Sequence, residues 1–478
     1  MSFVLSLAVI SLVVFAVLEL SKKASEKRTQ EESTLEVEES ALVTETAKEE
    51  EKEPVEETVV TTEEESIEDT LTIEENEQEE PEELTLVFAG DISFEDSYSI
   101  MGSFRSNGSD IDHCIDAQLL SKMRDADICM VNNEFPYSSG GAPLAGKTYT
   151  FRSKPSNVEI LKDMGVDIVS LANNHVYDYG ETALLDTLTT LENAGVPYVG
   201  AGRNLAEASE THYFEMGGHV LAYISATQVE RTGNPETKGA TETSPGAFRC
   251  YTDTEFAVLK ERIAEADKKA DVVIVYIHWG TENTDKLHWA QESQTPEMLA
   301  AGADLIVGDH PHCLQPIECR DGVFVFYSLG NYWFNSKTLD SCLLEVKIRP
   351  DHSVVPYFIA AKQHDCRTDI PEESEKQRIM QYMQCISPTV TIEADGKVTN
   401  VPYAGPAINY GAVARVPAPP VRDTDPNAVT DPNAVPLADP NVAAPAPDPN
   451  VAAPAPDPNA TAPAADPNVT GDAAATTQ

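Results

Sequence analysis

Residues 167–180 read DIVSLANNHVYDYG, an apolar and β-branched run that ends abruptly in two amides, a histidine and a carboxylate. Polar side chains gathered at the end of a buried strand commonly present a site, because the loops beyond a rigid sheet carry function. Asn and Asp also make ordinary turns, since they bond their own backbone and tolerate left-handed angles. This stretch alone leaves both readings open, and the rest of the chain decides between them.

Six more runs resemble its apolar half: LTLVFAG, ADICMVNNEF, HVLAYISA, DVVIVYIHWG, DLIVGD and VFVFYSLGN. Apolar runs without in–out alternation suit strands buried on both faces. Helical spacing fills the gaps between them. ETALLDTLTTLENAG puts Ala183, Leu184, Leu188 and Leu191 on one stripe and stops at Gly195. TDTEFAVLKERIAEADKKA opens on Thr and Asp and closes on lysines, as capping and the helix dipole favour. TPEMLAAG reads as a helix with Pro296 in its first turn. Strand–helix–strand alternation predicts an α/β fold with loops collected beyond the strand ends.

The polar residues fall at those ends. Asp91 follows LTLVFAG, and ADICMVNNEF delivers Glu134. Asn174, His175 and Asp178 follow DIVSLA, DVVIVYIHWG delivers His278, and His310 and His312 follow DLIVGD. Five such ends in a fold that gathers them at one edge point to a metal site. Carboxylate, amide and imidazole donors without a thiolate suit a hard-to-borderline divalent ion of the Mn, Fe, Zn or Mg class. A carboxylate flanked by histidines is the usual material of a two-metal centre. In HPH, a proline turn lets His310 and His312 address different ions. Glu282 and Asn331 are weaker candidates, read as an exposed loop carboxylate and a strand-end turn. His113, His212, His219, His288, His352 and His364 read as structural or surface residues.

Bulk composition sets the boundaries. The chain has 478 residues and a net charge of −47. Glu31 to Glu83 holds 24 acidic residues against two lysines. Such a segment repels itself and cannot bury enough apolar surface to order, so residues 29–83 are expected to be a disordered linker. In 414–478, DPN recurs at Asp425, Asp431, Asp439, Asp448, Asp457 and Asp466, which predicts an extended, disordered proline-rich tail. Residues 84–413 remain as the folded domain. Its net charge, about −20, excludes nucleic acid as a partner and leaves a polyanion only local contacts. Phe3 to Leu18 is an apolar run of 16 residues. As a helix it is about 24 Å long against a ~30 Å hydrocarbon core. Residues 1–28 are therefore expected to be a membrane anchor. The eight cysteines contain no CxxC pair, and Cys313–Cys319 and Cys366–Cys385 stay open as pairings. No P-loop signature is present, so ATP-driven ligation would need a partner.

In order, FAGDI, NNEFP, LANNHVYDYG, YIHWGTE, GADLIVGDHPHCLQPIE and FYSLGNYWF resemble the CapA family of poly-γ-glutamate capsule-biosynthesis proteins. That family lies within the calcineurin-like metallophosphoesterase superfamily. The resemblance covers about Leu84 to Phe334 and weakens toward Val413. It implies a four-layer αββα sandwich on the outer face of a cell membrane, held by a single-pass anchor. It also implies site roles. Asp91 matches the first metal carboxylate, Glu134 the bridging one and Asn174 the amide ligand. His278 and His310 match the imidazoles of one metal and His312 that of the other. His175 matches the histidine that assists the leaving group, oriented by Asp178. The superfamily's Asp-x-His has Ser93 in its third position here, which removes one imidazole. The implied function is a divalent-metal-dependent hydrolase of phosphoester or polymer bonds; the alternative is a non-catalytic polymer-binding component of capsule synthesis or export. The implied partners are poly-γ-glutamate or a related anionic surface polymer, and other membrane capsule-synthesis proteins.

Overall fold

The structure is a computed structural model that describes residues 81–229 and 238–414. The expected anchor lies outside the described residues, as do the acidic linker up to residue 80 and the DPN tail from residue 415.

The fold is mixed α/β, built on two large sheets. In chain order their strands are β1 (Leu84–Ile92), β2 (Ile128–Asn133), β3 (Ile168–Ser170), β4 (Tyr198–Val199), β5 (His212–Met216), β6 (His219–Thr227) and β7 (Val272–His278). There follow β8 (Leu305–Asp309), β9 (Ile317–Arg320), β10 (Val323–Phe326), β11 (Asn331–Trp333), β12 (Leu339–Ile348), β13 (Val354–His364) and β14 (Arg367–Asp369). The eight-stranded sheet runs β14–β13–β12–β1–β2–β3–β4, with β11 also paired to β1. The six-stranded sheet runs β9–β10–β8–β7–β6–β5. β1 to β4 are mutually parallel, as are β6, β7, β8 and β10. The parallel strands therefore bring their C-terminal ends, where the sequence concentrates its polar residues, to one edge of each sheet.

Alternation along each strand decides which core a residue joins. Phe88, Met130 and Ile168 pack in one cluster with Tyr223, Ile274 and Leu305 of the other sheet. Their neighbours Val87, Val131 and Val169 instead meet Ile100, Leu119, Leu161 and Leu188. Those four come from helices α1 (Ser99–Ser106), α2 (Ala117–Arg124), α3 (Glu159–Met164) and α4 (Gly180–Ala194). On the second sheet, Ile224, Val273 and Ile306 meet Leu259 and Met298 of α5 (Asp253–Ala266) and α6 (Trp289–Ala300). Both strand faces are buried, which is why these runs show no polar alternation.

Helix ends follow local chemistry. α4 stops at Gly195 with φ +71°, a left-handed cap that glycine adopts without strain. At α5, Thr252 Oγ1 accepts from the Glu255 N–H and Glu255 accepts from the Thr252 N–H, a reciprocal cap. Two expectations need correction. TPEMLAAG does not start a helix: α6 begins at Trp289, capped by His288 and Gln291, and Pro296 lies inside it. The start signal was carried by a histidine cap and by buried Ala290, Gln291 and Gln294, which no apolar stripe announces. VFVFYSLGN is not one strand, since β10 belongs to the six-stranded sheet and β11 crosses to pair with β1 in the other. All eight cysteines are free thiols.

Candidate metal centre

Asp91 is the penultimate residue of β1, where the pairing with β2 shifts register, and its carboxylate is fully buried. Gly90 makes this possible: a Cβ there would lie 1.9 Å from the Gly330 carbonyl oxygen. The two backbones thus approach as only glycine permits, and the Asp91 N–H donates to that carbonyl at 3.1 Å. Asp91 Oδ1 accepts from Asn132 Nδ2 at 2.8 Å, and Oδ2 lies 3.0 Å from His312 Nδ1. Burial works to raise the Asp91 carboxyl, but the bond and charge of His312, with His278 and Asn132, outweigh it and hold Asp91 below its usual range.

Glu134 follows β2 and is also fully buried. Both its oxygens lack a hydrogen-bond partner. Oε1 lies 3.7 Å from His278 Nε2 and 3.8 Å from His175 Nε2. Burial first, then the charges of Asp91 and Asp309, push the Glu134 carboxyl well above its ordinary range. A buried carboxylate without a donor is costly, so this position calls for positive charge.

His278 Nε2 is 2.8 Å from Asn174 Oδ1 and 3.1 Å from His310 Nδ1. Its Nδ1 donates to Asp309 Oδ1 at 2.7 Å, and Asp309 Oδ2 accepts from Tyr276 Oη at 2.8 Å. Burial, opposed by Asp91, lowers His278 to about 3, which favours the neutral ring. The HPH turn holds His310 and His312 at φ +96° and +54°, angles a non-glycine residue rarely adopts. That local strain places the two rings 6.0 Å apart, His310 beside His278 and His312 beside Asp91.

His175 stacks on Phe151 with ring centroids 4.1 Å apart, and its Nδ1 donates to Asp178 Oδ2 at 2.6 Å. Asp178 also accepts from Lys147 Nζ at 2.5 Å and from the Phe151 N–H at 2.6 Å. Burial pushes Asp178 up to about 7 despite Lys147. Burial, then the nearby charge of Lys147, holds His175 well below its ordinary range. Asn173 ties this turn to β2, with Nδ2 donating to Asn132 Oδ1 and its Oδ1 accepting from the His175 N–H, both at 3.0 Å.

The structure thus brings together all eight residues singled out in the sequence. Two groups of potential ligand atoms, each within 4.8 Å of one another, are Glu134–His278–His310 and Asp91–Glu134–His312; a third is Asp91–His278–Asp309. Possible metal-binding groups therefore exist, and Glu134 is common to the first two. Sequence reading missed Asp309 and Lys147. Asp309 was visible as an acid beside His310 in GDHPH, whereas Lys147 sits in a polar loop with no pattern to mark it. Glu282, as expected, is exposed.

Comparison with known proteins bears on the part of the chain that carries this site. The PGA biosynthesis protein CapA of Bacillus subtilis (strain 168) is 35% identical over 209 residues, 43% of this chain and 53% of that protein. The capsule biosynthesis protein CapA of Bacillus anthracis is 34% identical over 218 residues, 44% of this chain and 51% of that protein. A "probable polyglutamine synthesis accessory protein" of Mycobacterium tuberculosis is 29% identical over 208 residues, 43% of this chain and 55% of that protein. The chain spans about half the length of the relatives it matches. Residues 85–336, more than half of the chain, match the family described as bacterial capsule synthesis protein PGA_cap, and the chain belongs to that CapA family.

Proposed function

We propose that the chain is a divalent-metal-dependent hydrolase of capsule biosynthesis, acting on a phosphoester or on a bond of a poly-γ-glutamate-type polymer. The observation that carries this is Glu134, a fully buried carboxylate with no hydrogen-bond donor, shared by two groups of ligand-type side chains. The donor set fits divalent ions: two carboxylates, an amide oxygen and three imidazoles converge there, with His278 Nε2 2.8 Å from the Asn174 amide oxygen. Asp91, Glu134 and His312 would hold one ion, and Glu134, Asn174, His278 and His310 the other. Such ions would supply Lewis acidity and a charge clamp for attacking and leaving oxygens. Asp309 fixes the His278 ring so that Nε2 faces the centre. His175 gives its Nδ1 proton to the hydrogen bond with Asp178, which leaves Nε2, on the Glu134 side, to take up a proton and deliver it to the leaving group.

The fold reading that goes with this is a four-layer αββα sandwich of the metallophosphoesterase type. Its support is the three clusters, one shared by the two sheets and one between each sheet and its helices. The setting we propose is a cell membrane, with residues 1–28 as a single-pass anchor and the domain outside the cell. The partners are an anionic surface polymer and membrane proteins of capsule synthesis. The test is elemental analysis of the purified chain, then hydrolysis assays on phosphoesters and poly-γ-glutamate with His175→Ala as control. Divalent-dependent turnover falling ~10²–10⁴-fold in that variant is expected. Polymer binding without any turnover would replace the hydrolase by a non-catalytic binding component.

A further inference from the structure

The centre contains a side chain to which neither the family resemblance nor the motif reading gave a chemical role. Ser93 stands where an imidazole is expected, and its own hydroxyl, buried, has no hydrogen-bond partner. Paired with Asp91 on the neighbouring strand is Asn331, the first residue of β11. It is in direct register with Asp91 and 1% exposed. Its Oδ1 lies 2.8 Å from His312 Nδ1, the same nitrogen that lies 3.0 Å from Asp91 Oδ2.

We propose that the Asn331 amide oxygen is a metal ligand, filling the place that Ser93 leaves open beside Asp91, Glu134 and His312. This rests on the metal-centre reading given above. Ligands about 2.1 Å from an ion and at right angles are about 3 Å apart, the spacing seen here around His312 Nδ1. The position is also rigidly supplied. The Gly90–Gly330 approach locks β11 against β1, and Ser341 Oγ donates to the Asn331 carbonyl at 2.6 Å. The chain's crossing from β10 in one sheet to β11 in the other is what delivers this amide.

The substitution changes the metal as well as completing the shell. Asp91, Glu134 and Asn331 offer oxygen, and only His312 offers nitrogen. The other half has two imidazoles, His278 and His310, beside Glu134 and Asn174. Oxygen-rich sites suit Mn²⁺ or Mg²⁺, whereas imidazole-rich ones suit Zn²⁺. The His312 half is therefore the manganese- or magnesium-selective one.

The test uses the full chain, stripped with a chelator and titrated with Mn²⁺, free ion being followed by its paramagnetic resonance. Wild type should take up two equivalents. Asn331→Ala should lose one of them, by at least ~10-fold in affinity, while Asn331→Asp retains it. Asn331→His should shift that equivalent from Mn²⁺ toward Zn²⁺ by at least ~10-fold, a change of selectivity that a merely structural hydrogen bond would not produce. If Asn331→Ala does not fold, Asn331→Asp and Asn331→His decide the question alone. Two unchanged equivalents in Asn331→Ala, or unchanged selectivity in Asn331→His, would overturn the assignment. A wild-type chain that binds no divalent ion would instead remove the metal centre itself, and this ligand with it.

Discussion

Two pairs of histidines bring ring nitrogens within hydrogen-bonding distance among the described residues, His219 with His352 at 2.9 Å and His278 with His310 at 3.1 Å. Around the first pair the hydrogen bonding closes. His219 Nε2 donates to the Glu82 carbonyl at 2.7 Å, which leaves Nδ1 to accept from His352 Nδ1. The far nitrogen of His352 lies 3.8 Å from Asp271. Around the second pair one group is left over. His278 Nδ1 meets Asp309 and its Nε2 meets His310 and the Asn174 amide oxygen, while both oxygens of the neighbouring Glu134 accept no hydrogen bond. Imidazole proximity is therefore not the mark of a metal site. What sets the second pair apart is the buried Glu134 beside it, which has no donor to accept from.

The strongest way to break this contrast is to remove that acceptor. Glu134→Ala should lower divalent-metal affinity by more than ~100-fold, beyond the range of residues that only orient ligands. His219→Ala should leave metal content unchanged. Elemental analysis of the two variants reads the difference directly, and wild-type metal content in Glu134→Ala would erase it.

Metal removal sharpens the same point on the wild-type chain. At free metal ~100 times the dissociation constant, binding adds about 2.7 kcal/mol to the unfolding free energy. Chelation should lower the melting temperature of the wild type and have little effect on that of Glu134→Ala. Equal responses would show that no ion is held by this carboxylate.

Asp309→Asn comes next. The amide keeps the shape but can turn an N–H toward His278 Nδ1, which moves the ring proton to Nε2, the nitrogen that should be a lone pair. Loss of ~10–100-fold in metal affinity is expected, as for other partners of ligating histidines. Titration by calorimetry checks it, and unchanged affinity would reduce Asp309 to a packing residue.

Much of this arrangement was legible before any coordinates. Apolar runs without alternation announced strands buried on both faces, and polar residues at their C-terminal ends announced where side chains would converge. What stayed hidden was contact between segments distant in sequence. Asn331 looked like a strand-end turn because nothing local reveals that β11 leaves one sheet for the other and lands beside Asp91. Lys147 reaches Asp178 from a loop whose composition is merely polar. His352 read as a structural or surface residue, with nothing to show that its partner is 133 positions away. Periodicity encodes which face of an element is buried; it does not encode which loops meet.

The smallest expected effect lies at the closed histidine pair, and it separates two local terms. His352 sits at φ +64°, a left-handed angle, while holding the hydrogen bond to His219. His352→Ala removes the bond and keeps a strained backbone, so unfolding should become easier by about 1 kcal/mol. His352→Gly removes the same bond but relaxes the backbone, which glycine adopts freely, and a left-handed non-glycine residue costs roughly 1 kcal/mol. The glycine variant should therefore stay close to wild type in urea unfolding, with metal content unchanged in both. A glycine variant as unstable as the alanine one would mean that the bond outweighs the strain. Any loss of metal in either would show that the two histidine pairs are not independent.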